Sequence, residues 1–175
     1  GAELTHANVM HNAQGVQALT KQDGRDVQLV CLPLFHSFGQ VVQMNCAVLC
    51  GATMVLMARF DPDAALGLME QHAVTMFAGV PTMYIGLLNV PDAESRHDLK
   101  KIASTLRIGM SGGAAIPVEV IRQFEARFGV PILEGYGLSE TSPVACVNPP
   151  EGVNKTASIG LPLPRTVIEI VSLED

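Results

Sequence analysis

Residues 106–128 read LRIGMSGGAAIPVEVIRQFEARF, and this stretch holds both kinds of secondary structure that alternate along the chain. LRIGMSG is a short apolar run and predicts a buried strand. Pro117 then opens a predicted helix that continues to Phe128, with apolar side chains at helical spacing. A strand that leads through a glycine turn into a helix is typical of parallel sheets, because a crossover helix must join parallel neighbours.

The same alternation extends in both directions from this unit. Predicted helices cover residues 5–20, 39–49, 61–72, 81–88 and 117–128. Predicted strands cover residues 27–34, 53–57, 74–80, 106–112, 131–137 and 166–171, with a polar loop at 91–98. The pattern predicts one doubly wound α/β domain over residues 1–175, with a mostly parallel sheet and helices on both of its faces.

The composition narrows the kinds of partner. The 175 residues are 48% hydrophobic and 16% charged, and the formal net charge is −6. Lys and Arg do not cluster, so small-molecule or protein partners are favoured over nucleic acid. The four cysteines form no CxxC pair and are expected to be reduced core residues, which favours a cytoplasmic location.

The longest apolar stretch tests whether the chain crosses a membrane. It covers residues 41–57 and contains Gln43, Asn45 and Gly51. These residues predict a helix, a turn and a buried strand there, and no membrane span. The first residues do not have the pattern of a signal peptide.

Three segments follow predicted strands, at the sheet edge where open parallel sheets bind ligands: LFHSFG (34–39), SGGAAIP (111–117) and EGYGLSET (134–141). In LFHSFG, His36 is either a polar group at the mouth of an apolar pocket or a histidine bonded to a backbone carbonyl. In SGGAAIP, the glycines allow a ligand to approach the backbone and the helix start offers free N–H groups. A tight strand-to-helix turn without a ligand would need the same residues.

EGYGLSET combines an aromatic ring with phosphate-binding chemistry. Gly135 and Gly137 leave both faces of Tyr136 open to a stacked planar base. Ser139 offers a hydroxyl to a phosphate oxygen, and Glu140 offers an oxygen ligand to a Mg²⁺ ion that bridges phosphates. The alternative is a buried tyrosine in a turn beside a solvated glutamate.

Together and in this order, the three segments resemble the motifs of the acyl-adenylate-forming enzymes, which include acyl-CoA synthetases, peptide-synthetase adenylation domains and firefly luciferase. EGYGLSETSP is similar to the tyrosine-glycine-x-threonine-glutamate motif, with Ser139 where threonine is usual. SGGAAIP is similar to the glycine-glycine-alanine turn, and LPLFHSFG to the aromatic/histidine motif of the acyl pocket. GAELTHANV resembles the segment after the phosphate loop, and VTMFAGVPTMY a pocket wall. The resemblance covers essentially the whole chain and is strongest to bacterial fatty-acid CoA ligases.

This resemblance implies a two-step reaction that uses ATP, Mg²⁺ and coenzyme A. A carboxylate attacks the α-phosphate of ATP to give acyl-AMP and pyrophosphate, and the coenzyme A thiolate then displaces AMP to give a thioester. The apolar surroundings of His36 favour a fatty acid. The alternatives are an aryl-acid ligase, a peptide-synthetase adenylation domain, or a non-catalytic nucleotide-binding or interaction module.

The resemblance also implies a role for each matched residue. Tyr136 would stack on adenine, Ser139 would contact the α-phosphate and Glu140 would bind Mg²⁺. The residues placed along the nucleotide are Gly112, Gly113, Ala114, Glu134, Gly135, Tyr136, Gly137 and Ser139. Those placed at the acyl pocket are His36, Phe38, Gly79, Val80 and Pro81. The catalytic candidates are His36, Ser139 and Glu140.

Parts of the family's machinery have no match in the chain. The phosphate loop would precede Gly1, and the ribose-binding aspartate, the hinge and the small domain with the adenylation lysine would follow Asp175. We therefore expect a piece of the large domain that is inactive alone, in a parent protein that could associate with a membrane. We also expect it to dimerise through apolar surface that the other parts would cover.

Overall fold

The computed structural model describes residues 1–172, and the strands of this part of the chain form one seven-stranded sheet. The strands are β1 Val27–Val30, β2 Thr53–Leu56, β3 Met76–Gly79, β4 Ile108–Ser111, β5 Ile132–Gly137, β6 Val144–Val147 and β7 Leu161–Pro162. Their order is β2-β1-β3-β4-β5-β6-β7. Strands β1 to β5 pair with one another in parallel, whereas β6 runs antiparallel to both β5 and β7.

The helices are α1 His6–Thr20, α2 Cys46–Cys50, α3 Pro62–Gln71, α4 Pro81–Leu88, α5 Ala93–Arg96, α6 Leu99–Thr105 and α7 Val118–Phe128. Three of the helices, α1, α3 and α6, begin at residues whose side chains cap them. The Thr5 side chain accepts a hydrogen bond from the Asn8 N–H in a capping box, and Asp61 accepts one from the Ala64 N–H. The predicted starts of α1 and α3 are therefore confirmed.

Two apolar clusters lie on opposite faces of the sheet. One packs α3, α4, α6 and α7 against β1, β3 and β5, and its largest fully buried members include Phe77, Tyr84 and Phe124. The other packs α1 and α2 against the opposite face, where Val16 and Cys46 are buried against Met76 and Met110. The predicted α/β class, with a mostly parallel sheet covered by helices on both faces, is confirmed.

Two of the four cysteines, Cys31 and Cys46, belong to these cores. Cys31, Cys46 and Cys146 are buried and Cys50 is half-buried, and all four are free thiols. Burial raises the pKa of Cys31 and of Cys46 to about 12, so both thiols stay protonated and unreactive at neutral pH.

The structure differs from the predictions in four places. The predicted strand at 166–171 is wrong, because its side chains extend into solvent, with Val167 94% exposed, and no strand of the described residues pairs with it. The polar loop at 91–98 contains the short helix α5, and α6 follows it. Between the strands predicted at 131–137 and 166–171, where the sequence predicted no strand, the chain forms β6 and β7. The helix predicted at 39–49 is π-helical over Phe38–Asn45 before it becomes α2.

An ion pair joins three strands at the amino edge of the sheet. Asp26 is buried just before β1, and Arg107, just before β4, donates two hydrogen bonds to its carboxylate at 2.8 and 2.6 Å. Thr75, just before β3, donates to the same carboxylate at 2.7 Å, and Arg107 also donates to the Thr20 carbonyl. Burial acts to raise the pKa of Asp26, but the hydrogen bonds from Arg107, the Asp23 N–H and Thr75 outweigh it and lower that pKa.

We predict that Arg107→Met lowers the free energy of unfolding by about 2–3 kcal/mol at pH 7. This is less than the cost for a wholly buried pair, because the Arg107 side chain is 36% exposed. Because the pKa of Asp26 is lower in the folded than in the unfolded state, its stabilisation is complete above the usual aspartate value of 3.8 and is lost as the pH falls through the folded pKa. Arg107→Met should therefore also flatten the acid side of the stability profile, measured by urea unfolding between pH 7 and pH 3.

The matched control is Arg25→Met. Arg25 pairs with Asp23, two residues earlier in the chain, but the Arg25 side chain is 91% exposed. Its loss should therefore change stability little. Equal destabilisation by the two substitutions would contradict the role given to the buried pair.

Candidate functional site

A cleft of about 460 Å³ opens at the carboxyl ends of β4 and β5. Its walls come from the turn after β4, from the second half of β5 and from a later loop at 157–159. SGGAAIP and the first five residues of EGYGLSET therefore share one cleft, as expected for neighbouring parallel strands, whereas Gly112 and Ser139 are not part of its wall. Glu134, Gly135, Tyr136 and Gly137 of the predicted set line it, together with Gly113 and Ala114.

The two-residue period of β5 decides which of its side chains face this cleft. Ile132, Glu134 and Tyr136 lie on the same side of the strand, and Ile132 belongs to the core cluster that contains Phe124. Toward the carboxyl end of β5 this face changes from a buried isoleucine to a glutamate and then to a tyrosine that is 45% exposed. Tyr136 is therefore accessible to a ligand, and the alternative of a buried tyrosine does not describe this ring.

The glycines after β4 bring the acyl-pocket candidates against the nucleotide candidates. A Cβ atom on Gly112 would lie 3.2 Å from Cε1 of Phe38, and one on Gly113 would lie 3.5 Å from Cγ1 of Val80. Gly113 has φ +82°, a conformation that favours glycine. Phe38 and Val80 thus contact this turn from the ends of neighbouring segments.

His36 lies at the surface after β1, and its ring is not part of the cleft wall. Its Nδ1 accepts a hydrogen bond of 3.1 Å from the Phe38 N–H, and its backbone carbonyl accepts one from Gln40. The ring is therefore held by a backbone N–H rather than by the backbone carbonyl that the structural alternative predicted. Gly79 and Pro81, the remaining pocket-wall candidates, are both buried.

Ser139 and Glu140 are exposed on a short 3₁₀ turn, Ser139–Thr141, between β5 and β6. The Leu138 N–H donates to the Pro143 carbonyl at 2.9 Å and is also 2.9 Å from Thr141 Oγ1, which closes the turn. Gly137 is required here, because a Cβ atom at that position would overlap the Pro143 carbonyl. The turn is thus narrowly defined although its two functional candidates are at the surface.

Glu140 faces a second, more polar groove of about 660 Å³ between this turn and α1. Asn8, His11 and Arg165 line the same groove. Among residues 1–172, the Glu140 carboxylate makes no ion pair, and no three His, Cys, Asp or Glu side chains gather into a metal site. A single accessible carboxylate suits Mg²⁺, which binds one or two carboxylates and completes its shell with water and phosphate oxygens.

Asn12 holds the turn in place, and the sequence analysis did not identify it. Its side chain is buried on α1; Nδ2 donates to the Val144 carbonyl at 2.7 Å and to the Thr141 carbonyl at 3.1 Å. Its Oδ1 accepts from the Val144 N–H at 3.2 Å. One amide thus fixes the end of the 3₁₀ turn to the start of β6. The available signal was an asparagine on the buried side of a predicted helix, where a polar group needs partners.

Glu134 and Asn148 hold the loop at 157–159 of the cleft wall in place. The sequence predicted Glu134 as a site residue, but it predicted neither this contact nor the role of Asn148. Glu134 Oε2 accepts from the Ala157 N–H at 2.8 Å, and Asn148 Nδ2 donates to the Ser158 carbonyl at 2.7 Å. The Asn148 N–H in turn donates to the Glu134 carbonyl. The carboxylate therefore shapes the cleft as well as lining it.

Within the described part of the chain, no helix is long and apolar enough to cross a membrane.

We predict that Asn12→Ala destabilises the protein by about 1–3 kcal/mol for each buried backbone group of Val144 that loses its partner. Hydrogen exchange at the Val144 amide should accelerate, because its acceptor is removed. Asn89→Ala is the control, since it removes an exposed amide bonded to Ile85 on α4 and should change stability by no more than about 0.5 kcal/mol. Similar exchange at Val144 in both variants would show that Asn12 does not hold the turn.

Comparison with known proteins agrees with this geometry. The family model described as AMP-binding enzyme matches residues 1–175. A long-chain-fatty-acid–CoA ligase of Bacillus subtilis (strain 168) is 42% identical over 176 residues, which cover 99% of this chain and 30% of the ligase. The chain thus spans about 30% of the length of this relative.

Solved structures are similar as well. ATP-bound MatB from Rhodopseudomonas palustris is 32% identical with a TM-score of 0.84, over 94% of this chain and 31% of MatB. An O-succinylbenzoate coenzyme A synthetase from Bacillus subtilis, in complex with ATP and magnesium ion, is 28% identical with a TM-score of 0.76, over 94% of this chain and 33% of the synthetase. With the motifs on one sheet edge and the family model matched along its full length, the chain belongs to the AMP-binding enzymes, the adenylate-forming acyl-CoA ligase family.

Proposed function

We propose that this chain is part of an ATP-dependent acyl-CoA synthetase that activates a fatty carboxylic acid as acyl-AMP and transfers the acyl group to coenzyme A. The observation that carries the proposal is the single cleft in which an accessible tyrosine faces a glycine turn at the carboxyl edge of β4 and β5. Such an arrangement suits a flat base with a phosphate tail. The chain supplies the nucleotide side of the reaction, and the isolated chain is inactive.

In this proposal, the residues matched by the resemblance take the following roles in binding. Tyr136 stacks on the adenine ring, with the backbone of Gly113 and Ala114 along the adenylate and Glu134 at the edge of the base. Ser139 donates its hydroxyl to the α-phosphate as the acid carboxylate attacks. Because both reactants are anionic, donors fixed before the reaction lower the barrier by stabilising charge on the transferring group.

Glu140 is the residue that would hold Mg²⁺, in the groove between its turn and α1. The ion, when bound, neutralises charge on the phosphate oxygens of ATP. Ser139 and Glu140 are consecutive residues of the turn that Asn12 fixes, so the metal ligand and the phosphate donor are held in one rigid turn. In this proposal, Asn12 is a positioning residue.

The acyl side of the site is formed by Phe38, Val80, Gly79 and Pro81, with His36 near the acid carboxylate. Phe38 and Val80 contact the glycine turn, so an apolar pocket would begin directly beside the adenylate. Apolar walls favour a fatty acid over an amino acid, which would need a partner for its amine.

An aryl acid is the second candidate. It is favoured by the likeness to a synthetase named for O-succinylbenzoate, because an aromatic ring fits an apolar pocket as well as an alkyl chain does. Acid profiling of the natural full-length protein separates the two, and a preference for amino acids would contradict both. A non-catalytic nucleotide-binding module would bind ATP but give no acid-dependent pyrophosphate exchange.

The proposal also includes a cellular location and a surface for self-association. Three of the four free thiols are buried, which fits a reducing compartment, so we place the enzyme in the cytoplasm. An apolar groove of about 490 Å³ between α1 and α2, lined by Val9, Met10 and Leu49, is the surface through which the isolated chain would self-associate. Sedimentation of a monomer at all concentrations would contradict that association.

We predict that Glu140→Gln raises the Mg²⁺ concentration needed for half-maximal ATP–pyrophosphate exchange about 10- to 100-fold, the equivalent of one lost charged contact. The measurement uses the natural full-length protein with a saturating acid. Glu94→Gln is the control, because Glu94 pairs with Arg127 on the helix pair away from the cleft and its loss should leave the Mg²⁺ requirement unchanged. An unaltered requirement in Glu140→Gln would remove Glu140 from the metal site.

A further inference from the structure

One buried amide outside the nucleotide cleft has no role in the proposal so far. Gln43 lies in the π-helical segment Phe38–Asn45 and is fully buried. Its Nε2 donates hydrogen bonds to the Leu29 carbonyl on β1 at 3.0 Å and to the Ala78 carbonyl on β3 at 3.3 Å. A single side chain thus joins the π-helical segment to two strands of the sheet.

The two strands that Gln43 joins separate toward their carboxyl ends. The ladder between β1 and β3 ends at Leu29 and Phe77. On its other side, β3 stays paired with β4 for two more residues, as far as Gly79. The opening is also the point where the strand order reverses, because the chain passes from β1 outward to β2 and then back across β1 to β3. Open α/β sheets bind ligands beyond the strand ends at such a point.

The residues proposed for the acyl side flank this opening. Phe38 follows β1, Gly79 is the last residue of β3, and Val80 comes directly after it. Ala78, whose carbonyl accepts from Gln43, directly precedes Gly79. The amide therefore fixes the spacing between the two sides of the proposed acyl pocket.

The π-helical geometry connects this anchor to the Phe38 ring. Hydrogen bonds in a π-helix join residues five positions apart, so Gln43 follows Phe38 by one turn. The Phe38 ring lies close to Gly112, where a Cβ atom would be 3.2 Å from Cε1 of the ring. Fixing Gln43 to the strands thus also limits how far Phe38 can move from the glycine turn.

The amide contributes less to stability than its two hydrogen bonds alone would give. Its Oε1 is buried and has no hydrogen-bond partner within residues 1–172. A buried acceptor without a partner is destabilising, and an apolar side chain of the same length would avoid that cost. A role in placing the π-helical segment accounts for an amide here better than stability does.

We propose that Gln43 is a positioning residue for the acid, and this inference rests on the proposed function. By holding the π-helical segment against β1 and β3, Gln43 keeps Phe38 and Val80 at the spacing that the carbon chain of the acid needs beside the adenylate. The wall of the nucleotide cleft contains no residue of the π-helical segment. The effect of Gln43 therefore falls on the acid and not on ATP.

Gln43→Met tests the inference in the natural full-length protein, because it keeps the length of the side chain and removes the amide. At a temperature where both proteins are folded, kcat/KM for the acid in ATP–pyrophosphate exchange should fall about 10- to 100-fold, as for a misplaced reactant. The KM for ATP at saturating acid should stay unchanged. Gln40→Met is the matched control, since Gln40 lies in the same segment with an exposed side chain, and it should change neither value.

A straight-chain acid and its 2-methyl analogue separate positioning from a loss of stability. A fixed apolar pocket discriminates one added carbon by about 10- to 200-fold. In Gln43→Met the ratio of the two kcat/KM values should fall toward one, because the spacing is no longer held, whereas a protein that is merely less stable would lose activity equally toward both acids. Gln43→Asn, whose amide is too short to reach both strands, should shift the ratio in the same direction, and its result decides if Gln43→Met does not fold.

Two results would overturn the inference. If Gln43→Met, or Gln43→Asn in its place, keeps the wild-type ratio, or if the KM for ATP rises as much as the KM for the acid, Gln43 does not position the acid. If the wild-type protein shows no acid-dependent pyrophosphate exchange, the proposed function fails, and the inference fails with it.

Discussion

The parallel pairing of β4 with β5 is the constraint on which the core and the candidate site both depend. Its register sets Gly109 beside Ile132, Met110 beside Leu133 and Ser111 beside Glu134. A shift of one residue in β5 would turn Glu134 toward the helix α1 side and expose Leu133, which is now fully buried. The same ladder of hydrogen bonds therefore fixes which residues fill the core and which polar groups face the cleft. Beneath the cleft, Tyr84 also links β4 to β3. Its hydroxyl lies 2.8 Å from the Met110 carbonyl on β4 and 3.1 Å from the Phe77 carbonyl on β3.

The change of direction after β5 is the second determinant of the site. An antiparallel return allows a short connection, and here this connection carries Ser139 and Glu140. Close approach of Gly137 to the Pro143 carbonyl leaves no room for a side chain, and the buried amide of Asn12 fixes the far end of the turn. Exposed functional groups are thus held by buried neighbours, which lets them bind a ligand without losing their orientation.

Much of this arrangement could be predicted from local signals. Thr5, Asp61 and the prolines at 62, 81 and 117 mark helix starts, because capping oxygens and fixed φ angles act within one turn. The short apolar runs gave the parallel strands, and their carboxyl ends gave the location of the cleft. The resemblance of three ordered segments then supplied the chemistry.

What the sequence did not predict depends on distant contacts. The π-helical segment is one case: Gln43 lies within it, fully buried, and its Nε2 donates to the carbonyls of Leu29 and Ala78 on two strands. Neither partner could be identified from the local pattern. β6 was missed because VACV follows a proline turn without a crossover helix, and residues 166–171 were predicted as a strand from side-chain type alone. The role of Asn12 requires the tertiary fold, because its partners are more than 100 residues away in the sequence.

The bond between Asn12 and Val144 also has a consequence for the order in which the protein is made. The two residues are 132 positions apart. At a synthesis rate of about 5–20 residues per second, Asn12 leaves the ribosome roughly 7–26 seconds before its partner does. Throughout that interval, the inner side of α1 has no completed sheet edge to cover it near the turn. Until β6 is made, this apolar surface of α1 is open to aggregation. The fraction of newly made chain that folds would then depend on keeping that surface from aggregating, rather than on how fast the helix forms.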